Sequence, residues 1–176
     1  MTPQTANGAN LRADAVVTRE RLLASSLRLF SERGYEGTSM RAITDAAGVN
    51  LAAANYHFGS KEQLLQATFQ TALAPINAER LRRLEALEQA RAPLELAAFV
   101  RAFVEPFFMS GQREYLPKLV SSLLAGPNEF ASPLLESTFG PTVDRFVSAL
   151  RVLLPEVEVS TLHWRLHLVV GAMLQL

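Results

Sequence analysis

The stretch from Gly48 to Lys61, GVNLAAANYHFGSK, sets several hydrogen-bonding side chains side by side on a predicted short helix. Asn55 carries an amide that can pair bidentately with adenine in the DNA major groove. Tyr56 and His57 can reach phosphates, which position a protein without reading sequence. The alanines before them let the backbone approach base edges closely, and alanine can touch a thymine methyl group. An ordinary helix surface is the alternative interpretation.

Capping and glycine signals predict short helices on both sides of this stretch. The first helix is expected to begin at Thr18, a plausible N-cap, and to end at Gly34. The second begins near Ser39 and is broken by Gly48, and Asn50 then caps the next helix. A short helix, a glycine turn and a second short helix match a helix-turn-helix, whose second helix lies in the major groove. The third helix is predicted at Leu51 to Phe58. A capping box of Ser60 and Gln63 is predicted to start the fourth.

The rest of the chain is also helical by its apolar period. Pro75 is expected to kink or end the fourth helix, and the charged continuation ERLRRLEALEQAR is interpreted mostly as a solvated face. Further helices are predicted from Pro93, over about 113–125, over 133–154, and after a cap at Ser160. The fold class is therefore all-α, with an N-terminal three-helix helix-turn-helix domain and a larger helical bundle. The predicted divisions are a flexible tail at 1–17, a DNA-binding domain at 18–64 and an effector-binding and dimerisation domain at 65–176.

Residues 18–65 resemble the DNA-binding domain of the TetR family of bacterial repressors. The resemblance is carried by Phe30, Gly34-Tyr35, Thr38-Ser39, Ile43, Ala47-Gly48-Val49, Tyr56-His57-Phe58 and Ser60-Lys61-Glu62. Together with the chemistry above, it implies DNA contacts at Thr38, Ser39, Arg41, Asn50, Leu51, Ala52, Ala53, Asn55, Tyr56, His57 and Lys61. The segments GVNLAAANYHFGSK and WRLHLVVGAM are similar to a branch of the family that responds to long-chain fatty acids or their acyl-CoA forms.

Two departures from the family pattern affect these expectations. Ala54 and Asn55 stand where the family often has leucine and tyrosine, and Leu51 stands where lysine is frequent. The recognition helix therefore has no fixed positive charge, and Arg41, Lys61, helix N-termini and Arg19 or the tail are expected to supply it. The family usually carries two dimer-forming helices at its end, so the last of these is expected to be absent or cut in this chain.

The second half of the chain is rich in aromatic residues at helical spacing. They could simply fill the core of a helical domain. Analogy with the family instead favours an apolar effector cavity, with His167 or Arg113 as a polar anchor. The expected pocket residues are Phe99, Phe103, Phe107, Leu119, Leu123, Phe146, Trp164 and His167.

Composition excludes several classes of function. Seventeen basic and seventeen acidic residues cancel, so net charge gives no argument for nucleic acid. The chain has no cysteine, which excludes disulfides and thiolate metal sites. No catalytic triad, phosphate-binding glycine loop or carboxylate pair is present, so an enzyme is not expected and no cofactor is predicted.

His163 and His167 have the i, i+4 spacing of metal ligands but no carboxylate between them, and a packing or pocket role is preferred. No apolar run approaches the roughly 20 residues of a membrane span.

These observations predict a ligand-responsive transcription regulator in the bacterial cytoplasm, associated with the nucleoid. Its expected partners are a double-stranded DNA operator, a second copy of the chain and an apolar small molecule such as a fatty acid or acyl-CoA. The regulator is predicted to be a repressor that the effector releases from a palindromic operator. A helix-turn-helix regulator with no small-molecule ligand is the alternative.

Overall fold

The computed structural model describes residues 4–90, 94–125 and 129–175. These residues form only helices and turns, which confirms the all-α prediction. None of the described helices is long and apolar enough to cross a membrane. The helices are α1 (Gln4–Arg33), α2 (Met40–Ala47), α3 (Leu51–Phe58), α4 (Lys61–Gln89), α5 (Leu96–Met109), α6 (Leu116–Ala125), α7 (Ala131–Leu153) and α8 (Val159–Met173).

The first helix is longer than its sequence signals predicted. It begins at Gln4, so Thr18 lies inside α1 and the predicted start at Thr18 was wrong. The segment predicted as a flexible tail, 1–17, is helical from Gln4 onward. The prediction gave more weight to Asn7, Gly8 and Asn10, which are poor helix formers, than to the alanines, which have the highest helix propensity. The alanines concerned are Ala6, Ala9, Ala13 and Ala15.

The chain divides into two compact units, Met1–Thr71 and Ala72–Leu176. The division falls inside α4, further along that helix than the predicted boundary between residues 64 and 65. In the first unit, α1 contacts both α2 and α3. Apolar side chains from all these helices form its core, and they include Leu22, Phe30, Ile43, Ala54 and Phe58.

The second unit contains most of α4 and the helices α5 to α8. Its core cluster joins residues of α4, α5, α7 and α8, and it includes Leu84, Phe99, Phe103, Phe146, Leu150 and Leu162. Pro75, Pro106 and Pro141 lie inside α4, α5 and α7, so Pro75 does not end the fourth helix as one alternative proposed.

Several predicted helix starts in the second unit differ from the structure. The helix predicted over about 113–125 begins at Leu116, and the one predicted over 133–154 begins at Ala131. Glu158 occupies the N-cap position of α8, so Ser160 lies within that helix rather than capping it. The predicted start at Pro93 lies outside the described residues. These errors of a few residues arise where no side chain forms a capping hydrogen bond, as at α7 and α8.

Candidate nucleic-acid interface and effector cavities

The starts of α2 and α3 are fixed by side-chain caps. Ser39 Oγ accepts a hydrogen bond from the Ala42 N–H at 3.1 Å, and Asn50 Oδ1 accepts one from the Ala53 N–H at 2.7 Å. Between the two helices, Gly48 has a φ of 66°, a left-handed conformation that favours glycine. The two caps and the glycine turn together fix the orientation of α3 relative to α2, as a helix-turn-helix requires.

The two sides of α3 differ in burial. Ala54 and Phe58 are buried in the core of the first unit. On the other side, Leu51 and Asn55 are exposed and Tyr56 is 85% exposed. Leu51, Asn55 and Tyr56, all predicted DNA contacts, therefore lie on the solvent-facing surface of α3, which we call the α3 face. Of the other predicted contacts, Ser39, Arg41, Asn50 and Ala52 are exposed, while Ala53, His57 and Lys61 are half-buried.

Thr38 does not belong to this surface. Its side chain is buried, with Oγ1 2.8 Å from Gly34 O and 3.2 Å from Leu29 O. The single hydroxyl hydrogen is shared between these two carbonyls, so the side chain joins the end of α1 to the start of α2. The prediction of a DNA contact at Thr38 is corrected to a packing role.

Cationic side chains lie near both ends of the helix-turn-helix. The Lys61 ammonium donates to Tyr35 O at 3.0 Å and lies 3.9 Å from the centroid of the Tyr35 ring. The Arg19 guanidinium of α1 lies 5.4 Å from the centroid of the Phe58 ring, at the end of α3. Arg41 is exposed in the first turn of α2. These three residues are among those expected to supply the positive charge that α3 itself lacks.

The predicted pocket residues separate into two groups in the second unit. Trp164 is 71% exposed and His167 is exposed, so the structure places neither in a pocket. The ring of His167 has Nδ1 2.8 Å from His163 O, one turn back on α8. The sequence pattern does not say which side of α8 packs on α7, and both residues lie on its exposed side. The other six are buried: Phe99, Phe103, Phe107, Leu119, Leu123 and Phe146.

One concave site, the apolar groove, lies among α5, the end of α7 and α8. Its volume is about 190 Å³, and its lining is apolar apart from Arg165. Phe99 and Phe103 line it, whereas Phe146 packs edge-on against both rings at centroid distances of 5.0 and 4.9 Å. The groove is further lined by Leu96, Val100, Leu154, Leu162, Leu166 and Val169.

A larger and more polar site, the basic cavity, lies among the end of α5, the start of α6 and the end of α8. Its volume is about 740 Å³, within the range of small-molecule sites. Phe107 and Phe108 provide aromatic surface, while Arg113 and Lys118 provide cations. Lys118 Nζ lies 3.9 Å from a Glu114 carboxylate oxygen. Arg113, one of the two predicted anchors, therefore lines a cavity of ligand size.

A cation lies in the interior of the second unit. Arg80, on α4, is 1% exposed. Its Nε donates to Phe103 O at 2.7 Å, and Nη1 donates to Asn77 Oδ1 at 3.2 Å. The guanidinium carbon lies 4.3 Å from the centroid of the Phe103 ring. Burial lowers the pKa of Arg80 to about 10, which still leaves the side chain charged at neutral pH.

An imidazole–carboxylate pair joins α7 to α8. His163 Nε2 lies 3.0 Å from Asp144 Oδ1, and Nδ1 lies 3.0 Å from Val159 O. The hydrogen bond with Asp144 is the main reason that the pKa of His163 is raised. Within residues 4–90, 94–125 and 129–175, no group of three or more His, Cys, Asp or Glu side chains could hold a metal ion.

Two capped short helices, a left-handed glycine between them and a solvent-facing surface on the second form a helix-turn-helix, a unit that occurs in DNA-binding regulators. Residues 22–68 match the family of bacterial regulatory proteins of the tetR type, and residues 97–176 match the tetracyclin repressor-like C-terminal domain. The chain belongs to the TetR family of bacterial transcription regulators. Members of this family bind DNA and usually act as dimers with small-molecule effectors; they are regulators and not enzymes.

Named relatives are regulators of the same kind. The chain is 33% identical over 109 residues to the HTH-type transcriptional regulator BetI of Rhizobium meliloti, a match that covers 62% of this chain and 50% of that protein. It is 30% identical over 123 residues to the HTH-type transcriptional regulator UidR of Escherichia coli, covering 67% of this chain and 58% of that protein. The chain thus spans about half the length of these relatives.

Solved structures share the fold. The TetR family regulator PfmR from Thermus thermophilus aligns with a TM-score of 0.64 and 22% identity, covering 88% of this chain and 85% of that one. The hemolysin II transcriptional regulator HlyIIR aligns with a TM-score of 0.60 and 22% identity, covering 91% of this chain and 87% of that one. At this identity the likeness shows the fold alone.

Arg80 was missed in the sequence because its neighbours are charged and the segment was interpreted as a solvated face. A signal was nevertheless present. Arg80 stands at helical spacing in a row of apolar residues that pack inward. Four of those residues share its side of α4: Leu73, Ile76, Leu84 and Leu87.

Proposed function

We propose that this chain is a repressor that binds a palindromic operator as a homodimer and is released by an apolar effector such as a fatty acid or acyl-CoA. The observation that carries the DNA-binding part is the α3 face. It presents an amide, a phenol and small side chains to solvent on a helix whose start is capped. Such a surface suits the major groove, where Asn55 would read a base and Lys61 would hold a phosphate. The protein would act on the chromosome in the cytoplasm.

A homodimer is supported by the exposed side of α8. Trp164 and Leu168 are 71% and 67% exposed, and their spacing places them on the same side of that helix. Exposed large apolar side chains that lie together mark interaction sites. A two-fold dimer would present two copies of α3, which must lie about 34–36 Å apart to meet successive major grooves.

The dimer can be tested by sedimentation and by the fluorescence of Trp164, the only tryptophan in the chain. The wild type should be dimeric at micromolar concentration, with Trp164 emission shifting to shorter wavelength as the dimer forms. Leu168→Glu should give monomers. Leu124→Glu is a matched control, because Leu124 is 62% exposed on α6. A wild-type monomer, or equal effects of the two variants, would refute this interface.

The effector class is supported by the two concave sites. The apolar groove suits an alkyl chain, and the basic cavity combines aromatic surface with cations suited to an anionic group. Fatty acids and acyl-CoAs combine both chemistries. The groove alone, at about 190 Å³, is smaller than the ~300–1,000 Å³ of small-molecule sites, so an acyl chain has to enlarge it.

The function is tested by two measurements. Selection of genomic fragments by the protein, followed by footprinting, should yield a palindromic site. A thermal-stability screen with fatty acids, acyl-CoAs and aromatic hydrophobes should identify stabilising ligands, because binding to the folded state raises stability by mass action. A stabilising ligand should also weaken operator binding. If operator binding is specific but no compound stabilises the protein, the regulator without a small-molecule ligand becomes the better description.

A further inference from the structure

Arg80 has no carboxylate partner among the described residues. The acidic side chains near it are engaged elsewhere. Glu79 pairs with Arg82 and Arg83 at 2.7 Å, and Glu105 pairs with Arg83 at 2.6 Å. A buried cation without a counter-ion is costly in free energy, so its presence needs an explanation.

The hydrogen-bonding capacity of Arg80 is only partly used. A guanidinium has five N–H donors. One donates to Phe103 O and one to Asn77 Oδ1. No further hydrogen bond of Arg80 to the described residues is found, and Nη2 is not sealed from solvent, since it is not among their buried, unpartnered side-chain atoms. The planar fork of a guanidinium matches a carboxylate in geometry and in charge. Nη2 is therefore available to a carboxylate that reaches the guanidinium.

Phe103 connects this cation to the apolar groove. The guanidinium lies over the Phe103 ring at 4.3 Å, and the same residue lines the groove. A ligand in the groove would therefore lie one side chain away from Arg80. Arg80 itself does not line the groove, so a carboxylate has to pass the Phe103 ring to reach the guanidinium.

We propose that Arg80 is the anion-binding residue of the effector domain and that it binds the carboxylate of an amphiphile whose alkyl chain occupies the apolar groove. The inference rests on the proposed effector function and adds the headgroup chemistry to it. The rival explanation is structural: Arg80 bridges α4 to α5 through Phe103 O, while Asn77 Nδ2 donates to Thr138 O of α7 at 3.4 Å. The two explanations predict different effects of Arg80→Met on ligand binding.

The test compares sodium decanoate with 1-decanol, which share a chain length and differ in headgroup. Affinities are measured by calorimetry and by thermal stabilisation in the absence of DNA. The wild type should bind decanoate more tightly than decanol. Arg80→Met should weaken decanoate binding about 10-fold to 100-fold, as loss of a charged hydrogen-bonding partner does, and leave decanol binding unchanged. Arg80→Lys keeps the charge but lacks the planar guanidinium fork. Its affinity for decanoate should lie between those of the wild type and Arg80→Met.

Arg82→Met is the matched control, since Arg82 is an exposed arginine on the same helix. It should bind both compounds like the wild type. The proposal is overturned if the wild type shows no preference for decanoate, or if Arg80→Met keeps that preference while remaining folded. Should Arg80→Met fail to fold, decanoate binding equal to wild type in Arg80→Lys overturns it. Operator binding without ligand reports separately on the proposed function.

Discussion

Lys61 and Arg80 lie on the same helix, one in each compact unit, and both use the same local chemistry. Each donates a hydrogen bond to the backbone carbonyl of an aromatic residue and lies over the ring of that residue. The aromatic residue is Tyr35 for Lys61 and Phe103 for Arg80. The difference is burial: Lys61 is half-buried and Arg80 is fully buried.

That difference decides what each cation can do. Lys61 remains in contact with solvent, so its ammonium can exchange water for a phosphate at little cost. Arg80 is 1% exposed, so an anion that binds it must give up most of its own hydration. The first unit thus presents its cation, Lys61, to a ligand at the surface, whereas the second unit encloses its cation, Arg80. The variants below test this contrast, from the largest expected effect to the smallest.

Phe146→Ala should have the largest effect, because the second unit depends on ring packing. Phe146 is fully buried against Phe99 and Phe103, the ring beneath Arg80. Its truncation should lower the free energy of unfolding of this unit by about 3–5 kcal/mol. Trp164 fluorescence reports this unit in a denaturant titration. Met109→Ala, at an exposed site, is the control, and equal midpoints for the two variants would contradict the packing role.

Asn55→Ala tests base reading at the α3 face. Asn55 is exposed, and alanine is the better helix former, so the fold should be preserved. Operator binding should lose about 1–3 kcal/mol, with little change on random DNA. Titration against an operator and a scrambled duplex measures the difference, with Gln66→Ala on α4 as the control. Equal losses on both duplexes would make Asn55 a backbone contact and move base reading to residues such as Leu51, Ala52 and Tyr56.

Lys61→Ala should weaken binding to specific and random DNA alike. Removal of one phosphate contact should lower the slope of log affinity against log salt by about one. Loss of the contact with the Tyr35 ring should cost a further ~0.5–1 kcal/mol of stability. Lys118→Ala removes the same charge from the second unit and serves as the control. Identical salt slopes for the two variants would show that Lys61 holds no phosphate.

The helix-turn-helix was predictable because its determinants are local. The caps at Ser39 and Asn50 bind N–H groups three residues ahead, and Gly48 gives a turn signal of its own. These features are visible in a short window of sequence. The resemblance to a known family added the function, which the caps alone do not specify.

What the sequence could not show are contacts between residues distant along the chain. The burial of Thr38 depends on Leu29, and the position of Lys61 depends on Tyr35. Arg80 meets Phe103 only after α4 and α5 have packed together. Helical periodicity identifies an apolar side but not which neighbour covers it, which is why Trp164 was predicted to line the pocket.

The smallest expected effect is a pH dependence of folding stability that arises from the His163–Asp144 pair. It tests whether a partly exposed charge pair stabilises the second unit. Because the pKa of His163 is raised, mainly by its hydrogen bond with Asp144, folding favours the protonated imidazole. The stabilisation is fully present below the unfolded value of about 6.5 and is lost as pH rises through the folded pKa. The side chains are 34% and 70% exposed, so solvent screening should keep the effect below about 1 kcal/mol. Thermal unfolding from pH 5.5 to 8.5 should show this loss in the wild type and a smaller one in Asp144→Asn, which keeps the hydrogen bond with Val159 O. A wild-type profile that coincides with that of Asp144→Asn would show that the pair contributes nothing to stability.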